Sequence, residues 1–398
     1  MPASRDPLSG LGEVPWDRLY GLDGSSSRVP SWLWTLSAAD ASDREEAHAD
    51  LAGHICGQGR WPVSAVVVPF LVGLVDEATT PNRADLLDTL ASTVLGDWDI
   101  VALPFCAETF YPQADDLTDE QEQRLIQWLY HQDGTDADEP FFWDLSGPDR
   151  WAYRAYQACA ERSATVARWV SDPDDEVAAR AAALLAWLPP TRWAVDALLA
   201  AEGRLVQASA NLALATLHVR DRRIDERLHQ CLHADDGCVA ATAAVALSYR
   251  HGPNVSATVR RILADAAEPD LPQPARLAGW DDRRPPWESR ALRYFASTAL
   301  ARAGRADLPW SLVVGFTPRT PTDKDDVNAA LAGQDAIIIT SHGYDGSDLI
   351  IRLETTRPMP REHALRLVAR LLRGAGLPET TSVDITETGE RFCLTDIP

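Results

Sequence analysis

Carboxylates and aromatic rings are interleaved through residues 108–149, and this mixture is the part of the chain best suited to chemistry with another molecule. Twelve acids stand there against one arginine, Arg124, for a net charge of −11 in 42 residues. Asp115, Asp116, Asp119, Glu120, Asp136, Asp138 and Glu139 supply negative charge, and Trp128 and Trp143 lie among them. Acids mixed with rings can imitate a nucleic acid, because carboxylates meet a partner's Arg and Lys while rings supply desolvated anchors. Trp280 and Trp287, flanked by Asp281, Asp282, Arg283 and Arg284 in a proline-rich stretch, form a second group of candidate contacts. A plainer reading stands beside each of these. The acidic stretch can be a solvated loop with its rings packed under neighbouring helices, and the two tryptophans can be buried.

Other chemistry-bearing residues have weaker patterns. His229 and His233 are four apart, a spacing that suits two imidazoles on one Zn²⁺. Cys231 would point about 160° away from each on a helix of 3.6 residues per turn, and Cys238 lies beyond the helix end. An ordinary helix leading into a turn capped by Asp235 accounts for the segment. Ser341 and His342 are neighbours in a strand, so their side chains leave on opposite faces and cannot share a proton. No G-x-S-x-G, P-loop or G-x-G-x-x-G motif occurs. We therefore assign no catalytic residue, metal ligand or cofactor. The competing class is an enzyme, or an accessory to one, with a site on Ser341, His342 and Tyr344. Arg361, Arg366, Arg370 and Arg373 would then recognise an anionic ligand.

The charge balance narrows the partner. The 398 residues carry −22 overall. Residues 1–150 hold eight arginines against 27 acids, a net of −19, and the rest of the chain holds only −3. Lys324 is the sole lysine. A nucleic-acid binder needs cations to displace counterions from phosphates, so a basic protein is the expected partner. No run approaches the ~20 apolar residues of a membrane helix. The N-terminus has no basic start followed by an apolar core, and the six cysteines are scattered without a CxxC pair. Reduced thiols in a cytoplasmic protein are expected.

The elements that would position these residues are repeats. Residues 177–188, 206–217 and 239–249 can be overlaid, at offsets of 29 and 33 residues. That period signals stacked helical hairpins. Each copy places alanine four residues after a leading valine (Ala181, Ala210, Ala243) and leucine one turn later (Leu185, Leu214, Leu247). A fourth copy begins at Leu292, with Ala296 and Leu300 in register. Helical patterns also cover residues 43–55, 65–76, 84–94 and 119–131. Trp169, Trp187 and Trp193 sit at helix-packing positions and are read as core.

Asp172-Pro173-Asp174-Asp175-Glu176-Val177-Ala178-Ala179-Arg180-Ala181-Ala182 is similar to the "DPDxxVRxxAA" pattern of HEAT repeats, the right-handed, armadillo-like helical solenoids. The arginine here falls three residues after the valine, and the second and third copies lack the Asp-Pro turn. Trp16-Asp17-Arg18-Leu19-Tyr20-Gly21 and Pro69-Phe70-Leu71 extend a resemblance to actinobacterial HEAT-repeat proteins over roughly three quarters of the chain. The resemblance implies a mainly α fold, with a solenoid over residues 1–306, and says little about activity. Some HEAT-fold enzymes bind two irons through His-Glu dipeptides, and this chain has none. Others excise alkylated DNA bases through a basic groove, which the acidic N-terminal part lacks.

Residues 307–398 read differently. Two β-branched runs at 336–340 and 349–353 form a hairpin. An amphipathic helix covers 361–373, and a second hairpin spans 382–386 and 391–396. The expectation is a small ββαββ domain. Taken together, the sequence points to a non-catalytic protein-interaction scaffold, of the inhibitor or immunity type, whose acidic N-terminal surface meets a basic partner.

Overall fold

Each overlaid segment is a helix whose leading valine is the third residue. The computed structural model has α8 at Asp175–Leu185, α10 at Arg204–Thr216 and α12 at Gly237–His251, numbering helices in chain order. It describes residues 6–37, 41–57, 59–96, 107, 111, 113–131, 146–217, 219–267, 292–303, 307–308, 311–316, 337–345, 348–355, 359–378, 380–385 and 390–397. The described residues are mainly helical, with fifteen α-helices and a small sheet region, and none of those helices is long and apolar enough to cross a membrane. Contacts divide the chain into two compact units that part between Arg220 and Asp221.

The first unit starts with two short 3-10 turns and a strand pair, β1 Tyr20–Gly21 and β2 Gly24–Ser25. Trp16 is buried there, with its indole N–H donated to the Leu11 carbonyl at 2.8 Å and its ring centroid 5.8 Å from that of Phe70. Helices α1 (Val29–Leu36) and α2 (Ala41–Cys56) pack together, followed by the pair α3 (Ser64–Asp76) and α4 (Arg83–Leu95). Then come α5 (Asp119–His131) and α6 (Ser146–Ala160), the latter packed on α3 and α4. Two regular hairpins finish the unit: α7 (Ser163–Trp169) with α8, and α9 (Arg192–Leu199) with α10. Helix α7 packs on α9, α8 on α10, and α4 on α8, so first helices meet first helices and second meet second.

Composition explains why α8 and α10 lie so close. Ala181 and Ala210 are completely buried, as are Leu214 and, within a per cent, Leu185. Alanine at one level and leucine at the next lets two helices interlock at the ~8–10 Å separation of packed pairs. Side-chain caps mark where α8, α9 and α12 begin. Asp174 accepts from the Glu176 amide at 2.9 Å, Thr191 from Ala194 at 3.2 Å, and Asp236 from Cys238 at 2.9 Å. Helix α10 follows Gly203, which has φ +79° and makes no side-chain cap. Trp169 and Trp187 are core, but Trp193 is not: it is 70% exposed. Helix α9 turns Ala194, Val195 and Leu198 inward. At 100° per residue, this leaves Trp193 about 150° from the centre of the buried face.

The second unit repeats the packing rule. Helix α11 (Arg222–Cys231) pairs with α12, and α12 packs on α13 (Ala257–Ala267) and α14 (Leu292–Arg302). Ala243 and Leu247 of α12 are buried, as are Ala296 and Leu300 of α14. Beyond α14 lies an antiparallel five-stranded sheet of order β5-β6-β4-β8-β9, together with a short β3–β7 pair (Asp307–Leu308 with Met359–Pro360). The strands are β4 Ser311–Phe316, β5 Ile337–Asp345, β6 Asp348–Thr355, β8 Ser382–Ile385 and β9 Glu390–Cys393. Helix α15 (Arg361–Gly374) falls between β7 and β8.

The two expected hairpins and the helix between them are present, but the sheet has a central strand, β4, that the ββαββ reading leaves out. Register puts Leu312 and Val314 opposite Leu353 and Ile351 on one side, and opposite Ile385 and Val383 on the other. All six are buried, forming one apolar face. Gly315 belongs to the other face, where a Cβ would stand 3.0 Å from Ser382 Oγ and 3.2 Å from Ile350 Cδ1.

Core truncation and overpacking should both be costly at the repeat seam. We expect Leu214→Ala to cost ~2–5 kcal/mol and Ala210→Leu ~1–3 kcal/mol in urea unfolding, while Trp193→Ala changes stability by no more than ~0.5 kcal/mol.

Candidate protein-interaction surface

The acidic stretch divides into carboxylates that the fold uses internally and carboxylates that face water. Glu122, on the inner side of α5, is buried. It accepts from the Trp151 indole at 2.9 Å, from Arg154 Nη1 at 2.7 Å and from Arg150 Nε at 3.0 Å. Arg150 and Arg154 are four apart on α6, so both guanidinium groups reach the same turn of α5. Arg150 also bonds Asp119 and the Leu117 carbonyl, and Arg154 lies 3.8 Å from Asp119. Trp128 is half-buried against a cluster of Leu117, Leu125 and Trp151, alongside Trp61 and Leu129. Trp128 is thus engaged inside the unit, whereas Asp119 is ion-paired at the surface with its side chain 89% exposed. Asp115, Asp116 and Glu120 are exposed. Asp136, Asp138, Glu139, Trp143, Trp280 and Trp287 lie outside the described residues.

Three more ion-pair clasps tie α3 and α4 to the α7–α8 hairpin. Arg83 is buried with its Nε donated to the Val75 carbonyl at 2.7 Å, and its fork grips Asp172 at 3.0 and 2.5 Å. Arg168 and the Trp169 indole donate to Asp76 at 3.1 and 2.8 Å. Arg180 Nε donates to Asp88 at 2.8 Å. Within the same turn Asp172 is Arg83's partner, and Asp174 caps the following helix. An open groove of about 600 Å³ beside this pair is lined by Thr80, Asn82, Asp85, Asp174 and Glu176.

Each clasp joins a carboxylate to an arginine and leaves the net charge unchanged. Residues 1–220 hold 15 arginines and 34 acids, so an excess of 19 negative charges has no cation within that segment to neutralise it. Burying an uncompensated carboxylate is expensive. Among the described residues, Asp43, Glu45, Glu46, Asp115, Asp116 and Glu120 stand exposed.

The residues weighed for metal binding are not brought together. His229 and His233 are exposed, whereas Cys231 and Cys238 are buried, and no group able to hold a metal occurs among the described residues. Burial pushes the Cys159 thiol up to about 12 and raises Cys238 as well, which leaves both unreactive. Ser341 and His342 pair with Arg352 and Ile351 of β6, next to a register shift between Ile339 and Ser341. Arg373 donates to the carbonyls of Leu394 and Ile397 at 2.5 and 2.8 Å, fastening α15 to the C-terminal turn. Arg366 and Arg370 are exposed.

Sequence reasoning overlooks one polar pair. Ser26 Oγ lies 2.9 Å from His54 Nε2, and Asp23 is 4.0 Å from Nδ1. Serine, histidine and carboxylate are nucleophile-triad types, but Ser26 is fully buried and no substrate can reach it. The pair instead holds α2 against the β1–β2 turn, where a Cβ on Gly21 would collide with the His54 ring. Burial holds His54 below the usual imidazole range, opposed by Asp23 and assisted by Arg28. No family model matches the chain, and no curated protein matches it.

Two outcomes follow from this geometry. Removing the buried carboxylate with Glu122→Ala takes an acceptor from Arg150, Arg154 and the Trp151 indole, while Asp119 and the Leu117 carbonyl still hold Arg150, and should cost ~1–3 kcal/mol in urea unfolding, whereas Asp115→Lys stays within ~0.5 kcal/mol. Because the folded His54 binds its proton more weakly than the unfolded histidine near 6.5, the unfolded chain takes up more protons below that value. Stability should fall as pH drops from about 6.5 toward the lower folded value, and fall less steeply in His54→Gln.

Proposed function

We propose that this chain is a non-catalytic protein-interaction scaffold that binds a basic protein, in the manner of an inhibitor or immunity protein. In this reading residues 1–306 form a right-handed solenoid of HEAT-type hairpins, followed by a small α+β domain over 307–398. The packing of first on first and second on second helices in α7–α10 supports the solenoid. The observation that carries the partner's chemistry is the excess of 19 carboxylates in residues 1–220, which internal pairing with that segment's arginines cannot cancel. Such a field steers a basic partner into encounter and weakens as salt shortens its range. Asp115, Asp116 and Glu120 contribute to it from the turn leading into α5 and from that helix's first residues.

The test is quantitative affinity purification with the complete chain as bait, followed by association kinetics with the captured protein. The reading expects a partner of basic isoelectric point whose on-rate falls by about tenfold or more from low to high salt. An acidic partner, or a salt-independent on-rate, contradicts it.

A further inference from the structure

The groove of about 600 Å³ beside the Arg83–Asp172 pair has the size of a small-ligand site. One wall runs from Ala78 to Asp85, through the α3–α4 connection into the first turn of α4. The other runs from Asp172 to Glu176, into the first turn of α8. Four carboxylates line it, on Asp85, Asp172, Asp174 and Glu176, against a single cation, Arg83. All three nitrogens of that guanidinium are engaged, Nε with the Val75 carbonyl and both Nη atoms with Asp172. Arg83 therefore cancels Asp172 and leaves the lining with three uncompensated acids.

What the groove offers is acceptors. Asp85 has no hydrogen-bond or ion-pair partner among the described residues. Asp174 uses only Oδ1, on the Glu176 amide, and Glu176 makes one long contact with Arg180 at 3.5 Å. Thr80 is a second kind of observation. It is only 7% exposed, lines the groove, and its hydroxyl has no partner among the described residues. A hydroxyl so enclosed ordinarily finds one. Helix dipoles favour negative charge at the first turns of α4 and α8, where Asp85 and Glu176 sit. These acids are spread along two walls and are not gathered as the ligands of a metal ion would be.

We propose that this groove receives an arginine side chain of the basic partner, held between Asp85 of one wall and Asp174 of the other. This rests on the function proposed above and gives it a location. A guanidinium carries five N–H donors in a planar fork and no acceptor, so it can serve carboxylates on both walls and the Thr80 hydroxyl together. An ammonium has three donors on a single point and reaches fewer of them. Anionic ligands are disfavoured, because the one cation of the lining is already bound to Asp172. Charge-assisted contacts of this kind are about twice as strong as neutral ones.

The experiment titrates the complete chain into a fluorescein-labelled peptide of alternating arginine and glycine, read by fluorescence anisotropy. Copies with lysine or citrulline in place of arginine run beside it. The arginine peptide should bind best, the lysine copy more weakly and the neutral citrulline copy not at all. Its affinity should fall by about tenfold or more in Asp85→Asn/Asp174→Asn and by a few-fold in Thr80→Val. Asp115→Asn/Asp116→Asn removes the same charge outside the groove and should change it by less than about twofold. Asparagine still caps a helix, so Asp174→Asn should keep the parent's circular dichroism. Equal losses in the two double variants would mean that binding follows overall charge, which overturns the groove and leaves the proposed function standing. A parent that binds no arginine peptide, or binds the lysine or citrulline copy as tightly, also overturns the groove. The proposed function fails separately, on capture of an acidic partner.

Discussion

Two helices can approach closely only where some of the side chains between them are small, and seams in both units of this protein use that constraint. Ala181 and Ala210 meet it at the α8–α10 seam, and Ala243 and Ala296 meet it at α12–α14. Leucines one turn further on fill the space that opens beyond the alanines. The rule is local, so it can be applied pair by pair down a chain of this length without a single large core. It also decides which surfaces remain free. Helices that meet through one flank leave the opposite flank in water, where Trp193 of α9 and Trp34 of α1 are found.

Electrostatics in the first unit follows from the same arrangement. Once seams are apolar, ion pairs are pushed to the margins of the helices, where Arg83–Asp172, Arg168–Asp76, Arg180–Asp88 and the Glu122 cluster sit. A bidentate pair as enclosed as Arg83–Asp172 sets the register of its elements more than it adds stability, since desolvation offsets much of its attraction. What distinguishes this protein is the remainder. Acids outnumber arginines by more than two to one in residues 1–220, and no rearrangement of pairs within that segment can change that difference. Among the described residues, Asp43, Glu45, Glu46, Asp115, Asp116 and Glu120 are exposed.

Local periodicity made most helices readable. The expected helix at 119–131 matches α5, and those at 43–55, 65–76 and 84–94 differ from α2, α3 and α4 by one or two residues. The leading valines, alanines and leucines marked the buried face because a helix repeats its face every three to four residues. What could not be read was non-local. Asp172 and Arg83 are 89 positions apart, and Asp76 and Trp169 are 93. Nothing in either neighbourhood announces the other, so paired and exposed acids look alike in sequence. Strand β4 escaped because Leu312-Val313-Val314-Gly315-Phe316 is short, nearly continuous in apolar residues and contains glycine, which by pattern alone is equally a buried loop. Trp193 was misplaced because the orientation of the eight-residue helix α9 is set by its tertiary neighbours. The arginines of α6 were the one available clue, since Arg150 and Arg154 share a helix face and require carboxylates opposite them.

The division of acids into internal and outward sets can be measured directly by carboxyl footprinting of the complete chain, with carbodiimide-coupled amine labelling read by peptide mass spectrometry. The account predicts fast labelling of Glu45, Glu46, Asp115, Asp116 and Glu120, and slow labelling of Glu122 and Asp172. Equal rates for the two sets, or protection of Asp115 and Asp116 in the isolated chain, would contradict it.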